Sequence, residues 1–265
     1  MTMTLEDKIR LSDLNLAESI REAARWNMGG EIREQGDLLL TTGISPFPTL
    51  NVAMNLSDGD PDRAEAIFAH VRSFYAERKS PFSLHLRGHA DTALEALCLR
   101  EKMTPISDAP GMILEQPLQA GNLPPGIEIR REDNISAVVD FRSVSVASYQ
   151  SLGMPAHVGE QIFATPGRLL RPYIDRVVAY DKDRPVSAAM AIYSHGIAGL
   201  YWVGTVPAAR GSGLGEACVT CVTNEALARG ARFVVLQASK FGAPLYRRMG
   251  FATITHYPWY MWVEK

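Results

Sequence analysis

The chain has 265 residues, 46% of them hydrophobic and 21% charged, and its formal net charge at pH 7 is −2. This length and apolar content suit one large or two small folded domains, and the near-neutral charge gives no reason to expect a nucleic-acid partner. No stretch is apolar enough to span a membrane and the N-terminus has no signal-peptide pattern, so we expect a soluble, cytoplasmic protein without membrane contact. The three cysteines are too few for a disulfide framework.

The first half of the chain alternates helical and strand patterns. Apolar residues at helical spacing predict a helix over 11–27, with Ser12 and Asp13 as candidate N-terminal caps. The later patterns predict, in order, strands over 36–42 and 49–56, a helix over 62–79, a strand over 82–86, a helix over 92–102 and a strand over 111–118. Paired prolines and glycines over 119–126 are typical of an interdomain linker, so we expect domains at 1–122 and 123–265.

The second half is richer in strand patterns. The patterns predict a strand over 127–131, one or two helical turns within 135–152, a helix over 158–170, strands over 174–180, 186–194 and 200–206, a helix over 216–229 and a strand over 233–236. The final run, 252–263, alternates and carries a cluster of aromatic residues. We interpret this cluster as core or as a dimer contact, which leaves a homodimer open.

A glycine-rich turn, Arg210-Gly211-Ser212-Gly213-Leu214-Gly215, joins the strand at 200–206 to the following helix. Closely spaced glycines let successive backbone N–H groups point inward, and the helix N-terminus adds partial positive charge, so we expect this turn to bind a pyrophosphate. A P-loop would end in Gly-Lys-Ser/Thr, which is not found here. A dinucleotide fingerprint would need a small residue in place of Glu216 and an acid in place of Gln237.

The order Arg210-x-x-Gly213-x-Gly215, then a helix, a strand and Ala243-Pro244-Leu245-Tyr246-Arg247-Arg248-Met249-Gly250-Phe251, resembles the GNAT superfamily of acyl-CoA-dependent N-acyltransferases. The resemblance covers roughly the last 140 residues. It implies an α/β (α+β) fold, with a GNAT-type mixed central sheet flanked by helices. The first half shows a similar order of elements without a sequence repeat, which predicts two such domains in tandem, the first of them degenerate.

The resemblance also implies a site. It implies acetyl-CoA or another acyl-CoA as acyl donor and a primary amine of a small molecule or peptide as acceptor, and we expect no metal. Tyr246 stands where the family has a tyrosine that often protonates the leaving thiolate, and Ser239 stands where an Asn often touches the pantetheine, although a cap role for Ser239 is equally open. The expected cofactor-binding residues are Thr205, Val206, Arg210, Gly211, Ser212, Gly213, Leu214, Gly215 and Ser239.

The corresponding turn of the first half, Ser57-Asp58-Gly59-Asp60-Pro61-Asp62, is unsuited to an anion. Its three carboxylates repel a pyrophosphate, and its proline lacks an N–H donor. We therefore expect that the first half does not bind CoA.

The general base is not evident from the sequence. Many relatives place a Glu or Asp on the strand before the glycine-rich turn, but residues 199–206 contain neither. The remaining candidates are His195, Tyr201, Glu160 and Asp175. The resemblance implies that the backbone at Val206 stabilises the oxyanion. Two functions stay open: an N-acetyltransferase, or a non-catalytic acyl-CoA-binding module that regulates a partner.

Overall fold

The computed structural model describes residues 3–43, 47–131 and 133–263. This part of the chain forms seven α-helices: α1 Leu5–Trp26, α2 Ala64–Glu77, α3 Thr92–Arg100, α4 Ile135–Gln150, α5 Ala156–Ile162, α6 Leu214–Ala228 and α7 Ala243–Arg248. It also forms eleven strands: β1 Glu31–Gln35, β2 Leu38–Thr42, β3 Val52–Asn55, β4 Phe82–His85, β5 Thr104–Leu114, β6 Ile127–Arg130, β7 Ile174–Asp181, β8 Arg184–Ser194, β9 Ile197–Thr205, β10 Val234–Gln237 and β11 Ala252–Trp262.

All strands join one mixed sheet, in the order β1-β2-β3-β4-β11-β5-β10-β9-β8-β7-β6. The two halves of the chain exchange their last strands within it. Strand β5 pairs with β10, whereas β11 pairs with β4, and β5 and β11 pair with each other. The sheet is therefore continuous from one half of the chain to the other.

A strand-helix-strand unit occurs once in each half. Strands β3 and β4 are parallel neighbours and α2 connects them, just as α6 connects the parallel neighbours β9 and β10. A further short helix follows each unit, α3 in the first half and α7 in the second. The tandem arrangement expected from the order of elements is thus present in the fold.

Helices cover both faces of the sheet. On one face α2 and α3 pack over the first half, while α6 and α7 pack over the second. On the other face α4 and α5 pack against β7 and β8, and α1 crosses between the halves. Strand β11 shows this alternation, because Tyr260 packs with α2 and α3 whereas Tyr257 packs under α1. Of the helices that the structure describes, none is long and apolar enough to cross a membrane.

Several expectations from the sequence were wrong. The helix expected over 158–170 is the shorter α5, and residues Pro166–Leu169 form a separate 3-10 turn. Helix α1 begins at Leu5 with Thr4 as its cap, and Ser12 and Asp13 are buried within it. The turns expected in 135–152 form one helix of 16 residues, because Ser145 and Ser148 lie on its buried face instead of interrupting it. Strand β5 begins at Thr104 instead of 111, and β1 was not anticipated, since its residues are mostly exposed and lack an apolar alternation.

Candidate active site

The site begins where β9 and β10 separate. Their parallel pairing is confined to Ala198 with Val234 and Gly199 with Val235. Strand β9 then runs on to Thr205 along its other neighbour β8, while β10 ends at Gln237. The divergence leaves a slot between the two strands at the start of α6, which is the place where the sequence motifs predict a pantetheine arm.

A β-bulge in β9 borders this slot. Ala188 pairs with Gly204 and Met190 with Tyr201, so two residues of β9 lie opposite one residue of β8. One of the two, Trp202, has a φ of +52°, which a bulky side chain adopts only when its surroundings hold it there. Its ring packs against Tyr149 of α4 and Phe163, with centroid distances of 5.0 and 4.8 Å. The bulge therefore gives the slot an aromatic wall.

The glycine-rich turn leaves the end of β9 and leads into α6. Gly211 and Gly213 both have a φ of +79°, and a Cβ at either position would meet no atom within 4 Å. Glycine is therefore favoured here by backbone conformation, while the space beside the turn stays open. No side chain caps the N-terminus of α6. Its first N–H groups are thus available to an anion, as the sequence predicts.

Thr205 ties the turn to the sheet. Its Oγ1 lies 2.8 Å from Ser187 Oγ, and Ser187 Oγ donates to the carbonyl of Gly204 at 3.0 Å. A Cβ at Gly215 would lie 3.3 Å from Thr205 Oγ1, so a side chain there would press against this contact. Glycine at position 215 keeps the first turn of α6 close to β9.

The backbone N–H of Val206 does not point into the slot, contrary to the sequence-based expectation. It donates to the carbonyl of Val186 on β8 at 2.9 Å. Neighbouring residues of a strand direct their backbone groups to opposite sides, so the N–H of Thr205 faces away from β8, toward the slot. The carbonyl of Thr205 also faces away from β8, because it accepts a hydrogen bond from Arg210 Nε at 3.2 Å.

Arg210 is exposed and its guanidinium turns back onto the protein. Besides Thr205, it donates to the carbonyl of Ser148 at 3.2 Å and to Ser151 Oγ, both at the C-terminal end of α4. These bonds join the turn to the aromatic wall. Contact of Arg210 with a phosphate stays a prediction.

Tyr246 on α7 is 8% exposed and packs edge-on against Phe251, with ring centroids 5.6 Å apart. Its hydroxyl forms no hydrogen bond with any residue that the structure describes. Burial, and secondarily the nearby Tyr149, raise the pKa of Tyr246 above its ordinary value. The hydroxyl is therefore protonated at neutral pH and free to donate.

Ser239 lies in the turn between β10 and α7. Its Oγ accepts from the backbone N–H of Gly242 at 3.1 Å, so it caps this turn. The side chain is exposed and its own O–H is not used by that bond. The cap role is therefore present, and contact with a pantetheine arm stays a prediction.

The four candidate bases are not gathered at the slot. His195 lies in the turn before β9, about 30 Å of extended strand from Thr205. Asp175 pairs with Arg131 at 3.0 Å beside the C-terminal end of α6, and burial raises its pKa. Glu160 is exposed on α5. Tyr201 borders the slot, but its hydroxyl donates to Asn15 Oδ1 at 2.7 Å and burial raises its pKa.

Trp202 and Tyr149 belong to the site, but our sequence interpretation missed both. Two glycines within β9, Gly199 and Gly204, were the available signal, because glycine inside a strand often marks a bulge or a close approach. A Cβ at Gly204 would lie 2.8 Å from Ser148 Cβ, so this glycine lets α4 approach the strand.

In the first half, the corresponding ends of β3 and β4 are bridged by side chains. Arg87 donates to both carboxylate oxygens of Asp91, at 2.9 and 3.0 Å, and to the carbonyl of Ser57 at 2.6 Å. Asn55 donates to the same Asp91 at 3.1 Å. These buried groups fill the space that the slot leaves open in the second half.

Among residues 3–43, 47–131 and 133–263, no group of three or more His, Cys, Asp or Glu side chains is arranged to hold a metal ion. Residues 174–253 match the family model described as an acetyltransferase (GNAT) domain. The sequence matches none of the curated proteins.

Solved structures with this fold include a GCN5-related N-acetyltransferase from Kribbella flavida, at 19% identity and a TM-score of 0.72, covering 94% of this chain and 95% of that chain. Another, from Sphaerobacter thermophilus, has 17% identity and a TM-score of 0.64 over 85% and 80% of the two chains. A tandem GNAT protein from the clavulanic acid biosynthesis pathway has 12% identity and a TM-score of 0.63, over 98% and 96%. These similarities extend over both halves of the chain.

Proposed function

Because residues 174–253 match the family model of a GNAT acetyltransferase domain, we propose that this chain is an N-acetyltransferase that transfers an acetyl group from acetyl-CoA to a primary amine. The acceptor is a small molecule or a peptide, and the reaction takes place in the cytoplasm. The observation that carries the proposal is the slot between β9 and β10, which ends at an open, uncapped helix N-terminus, with Tyr246 in the core cluster that packs α6 against β10. The slot suits the pantetheine arm, and the N-terminus of α6 suits the pyrophosphate.

The reaction needs three events at the thioester. The amine must lose a proton and attack the carbonyl carbon, which forms a C–N bond and an oxyanion. The N–H of Thr205 is placed to donate to this oxyanion, since it faces the slot. The C–S bond then breaks, and the hydroxyl of Tyr246 gives its proton to the departing thiolate.

The proton of the amine has no carboxylate to receive it on β9. A water chain leading from the slot to solvent is the route that this geometry favours, because His195 and Asp175 lie too far away and Glu160 is exposed. We expect turnover to rise with pH until the acceptor amine is mostly neutral.

The absence of a Glu or Asp from β9 also favours a second function, that of an acyl-CoA-binding module without catalysis. The two functions differ in one observable. An enzyme releases free CoA from acetyl-CoA when a suitable amine is present, whereas a binding module does not.

The test is thiol release, followed with a chromogenic disulfide, during incubation of the full chain with acetyl-CoA and a panel of primary amines. The panel includes amino acids, polyamines, aminoglycosides and peptides with a free N-terminus. Release above the rate without acceptor supports the enzyme. Tight acetyl-CoA binding without release from any member favours the binding module.

A further inference from the structure

A cavity of 840 Å³ lies in the first half of the chain, outside the site described above. It opens between α1, the turn joining β1 to β2, and the segment 56–63 that follows β3. The carboxyl ends of the parallel strands β3 and β4 lead to it, which is where open α/β sheets place their ligands. Its volume is within the range of small-molecule sites.

The cavity is unsuited to CoA. The neighbouring gap between β3 and β4 is closed by Arg87, Asp91, Asn55 and Ser57. The segment that enters α2 carries Asp58 and Asp60 at the cavity edge. A pantetheine arm therefore has no slot here, and a pyrophosphate would meet carboxylates.

The cavity is nevertheless built for a charged ligand. Its floor contains Asp13 and Arg87, which lie 3.8 Å apart, are 4% and 5% exposed, and are held by bonds to Tyr257 and Asp91. Leu38, Leu39 and Leu56 supply apolar surface beside them. Two charged groups are thus kept rigid at the base of an open cavity, which limits the entropy that a ligand must offset.

Arg21 and Glu34 pair at 2.6 Å on the rim, but the rim also carries charges of both signs that do not pair with each other. Arg10 and Arg63 line the cavity, and so do Glu6, Asp37 and Asp58. Within the described part of the chain, none of these five side chains takes part in an ion pair or a side-chain hydrogen bond. Opposite charges that face one cavity without meeting leave room for a molecule that carries both signs.

We propose that this cavity binds a small molecule that has at least one ammonium group and a carboxylate, as a basic amino acid does. The arginines of the rim receive the carboxylate and the acids receive the ammonium groups. Acids outnumber arginines among the unpaired rim charges, which favours a ligand with a net positive charge. This site is separate from the acyl-transfer slot and does not rest on the proposed acetyltransferase activity.

The experiment is a calorimetric titration of L-lysine into the full chain, repeated with cadaverine, which has the same two amines and no carboxylate. We expect L-lysine to bind at one site per chain and cadaverine to bind at least tenfold more weakly. Absence of L-lysine binding at millimolar concentrations overturns the proposal, as does equal affinity for cadaverine.

Variants locate the bound lysine. Arg63→Ala and Asp58→Asn alter exposed side chains, so both should fold, and each should weaken L-lysine binding at least tenfold. Arg184→Ala, at the exposed start of β8, is the matched control and should leave binding unchanged. Gly213→Glu should also leave the affinity for L-lysine unchanged, even if acyl-CoA binding is lost. Binding that survives both rim variants, or that Gly213→Glu removes, places the lysine elsewhere and contradicts the proposal.

Discussion

The hydroxyl of Tyr257, on the last strand, donates a 2.8 Å hydrogen bond to Asp13 in the first helix, 244 residues earlier. The bond is buried, and it lies beside the place where β5 and β11 pair across the two halves of the chain. The first and last elements of the chain are therefore parts of one structure.

We expect that residues 124–265 do not fold alone. Removing the first half deletes β5, which pairs with both β10 and β11, and so exposes the apolar faces that it covers. Circular dichroism and thermal unfolding of this fragment should show no cooperative transition, whereas the full chain should unfold in one. A fragment that melts cooperatively would show that the exchanged strands are dispensable.

Replacing Tyr246 with Phe should lower turnover about 100-fold or more, because the thiolate loses its proton donor. The affinity for CoA should change less than twofold, since the ring packs against Phe251 in either case. Steady-state rates and calorimetric titration of CoA measure the two quantities separately. Weaker binding at unchanged turnover would remove Tyr246 from the chemical step.

Gly213→Glu should abolish acetyl-CoA binding by placing a carboxylate at the N-terminus of α6. The φ of +79° strains any side chain at this position, so charge and strain must be separated. Gly213→Gln is the matched control, with nearly the same size and no charge. We expect Gln to weaken binding far less than Glu, and equal affinities would show that charge at this point is immaterial.

Gly199→Ala should destabilise the protein by about 1–3 kcal/mol, because a Cβ there would overlap Asn15 Oδ1 and meet the Tyr201 ring. The close approach of Asn15 to Gly199 holds α1 against β9. Gly121→Ala is the control, since a Cβ at Gly121 meets no atom within 4 Å. Urea unfolding of both variants measures the difference, and equal midpoints would contradict the close packing of α1 on the strand.

Burial raises the pKa of Cys98 and of Cys218 to about 12. A higher pKa lowers the fraction of a thiol that is present as thiolate at a given pH. Both cysteines should therefore react slowly with a chromogenic disulfide at pH 8. The half-buried Cys221 should react first, and all three should react fast in denaturant. Mass spectrometry of the labelled native protein identifies the modified residue, and rapid labelling of Cys98 would be inconsistent with its burial.

Local patterns in the sequence predicted the elements around the glycine-rich turn well. The helix expected over 216–229 is α6, Leu214–Ala228, and the strand expected over 174–180 is β7, Ile174–Asp181. Both elements have a recurrent apolar pattern, and α6 has a glycine beyond each end, Gly213 and Gly230. The sequence also predicted the order of strand, helix and strand in each half of the chain, because the three elements follow one another along the chain.

Long-range features could not be read in the same way. The sequence pattern predicts a helix cap at Asp13, and its actual partners, Tyr257 and His89, leave no local signal because they are remote in sequence. The exchange of β5 and β11 depends on pairing between the halves, which no local pattern records. The positive φ of Trp202 likewise follows from its packing against Tyr149 and Phe163, and not from its own preference.

The most direct test of acyl transfer at the β9–β10 slot is calorimetric titration of acetyl-CoA into the full chain and into its Gly213→Glu variant. Our prediction is saturable binding at one site per chain, lost in the variant, with no second site in the first half. Absence of binding to the unmodified chain would contradict it, and so would binding that the variant retains.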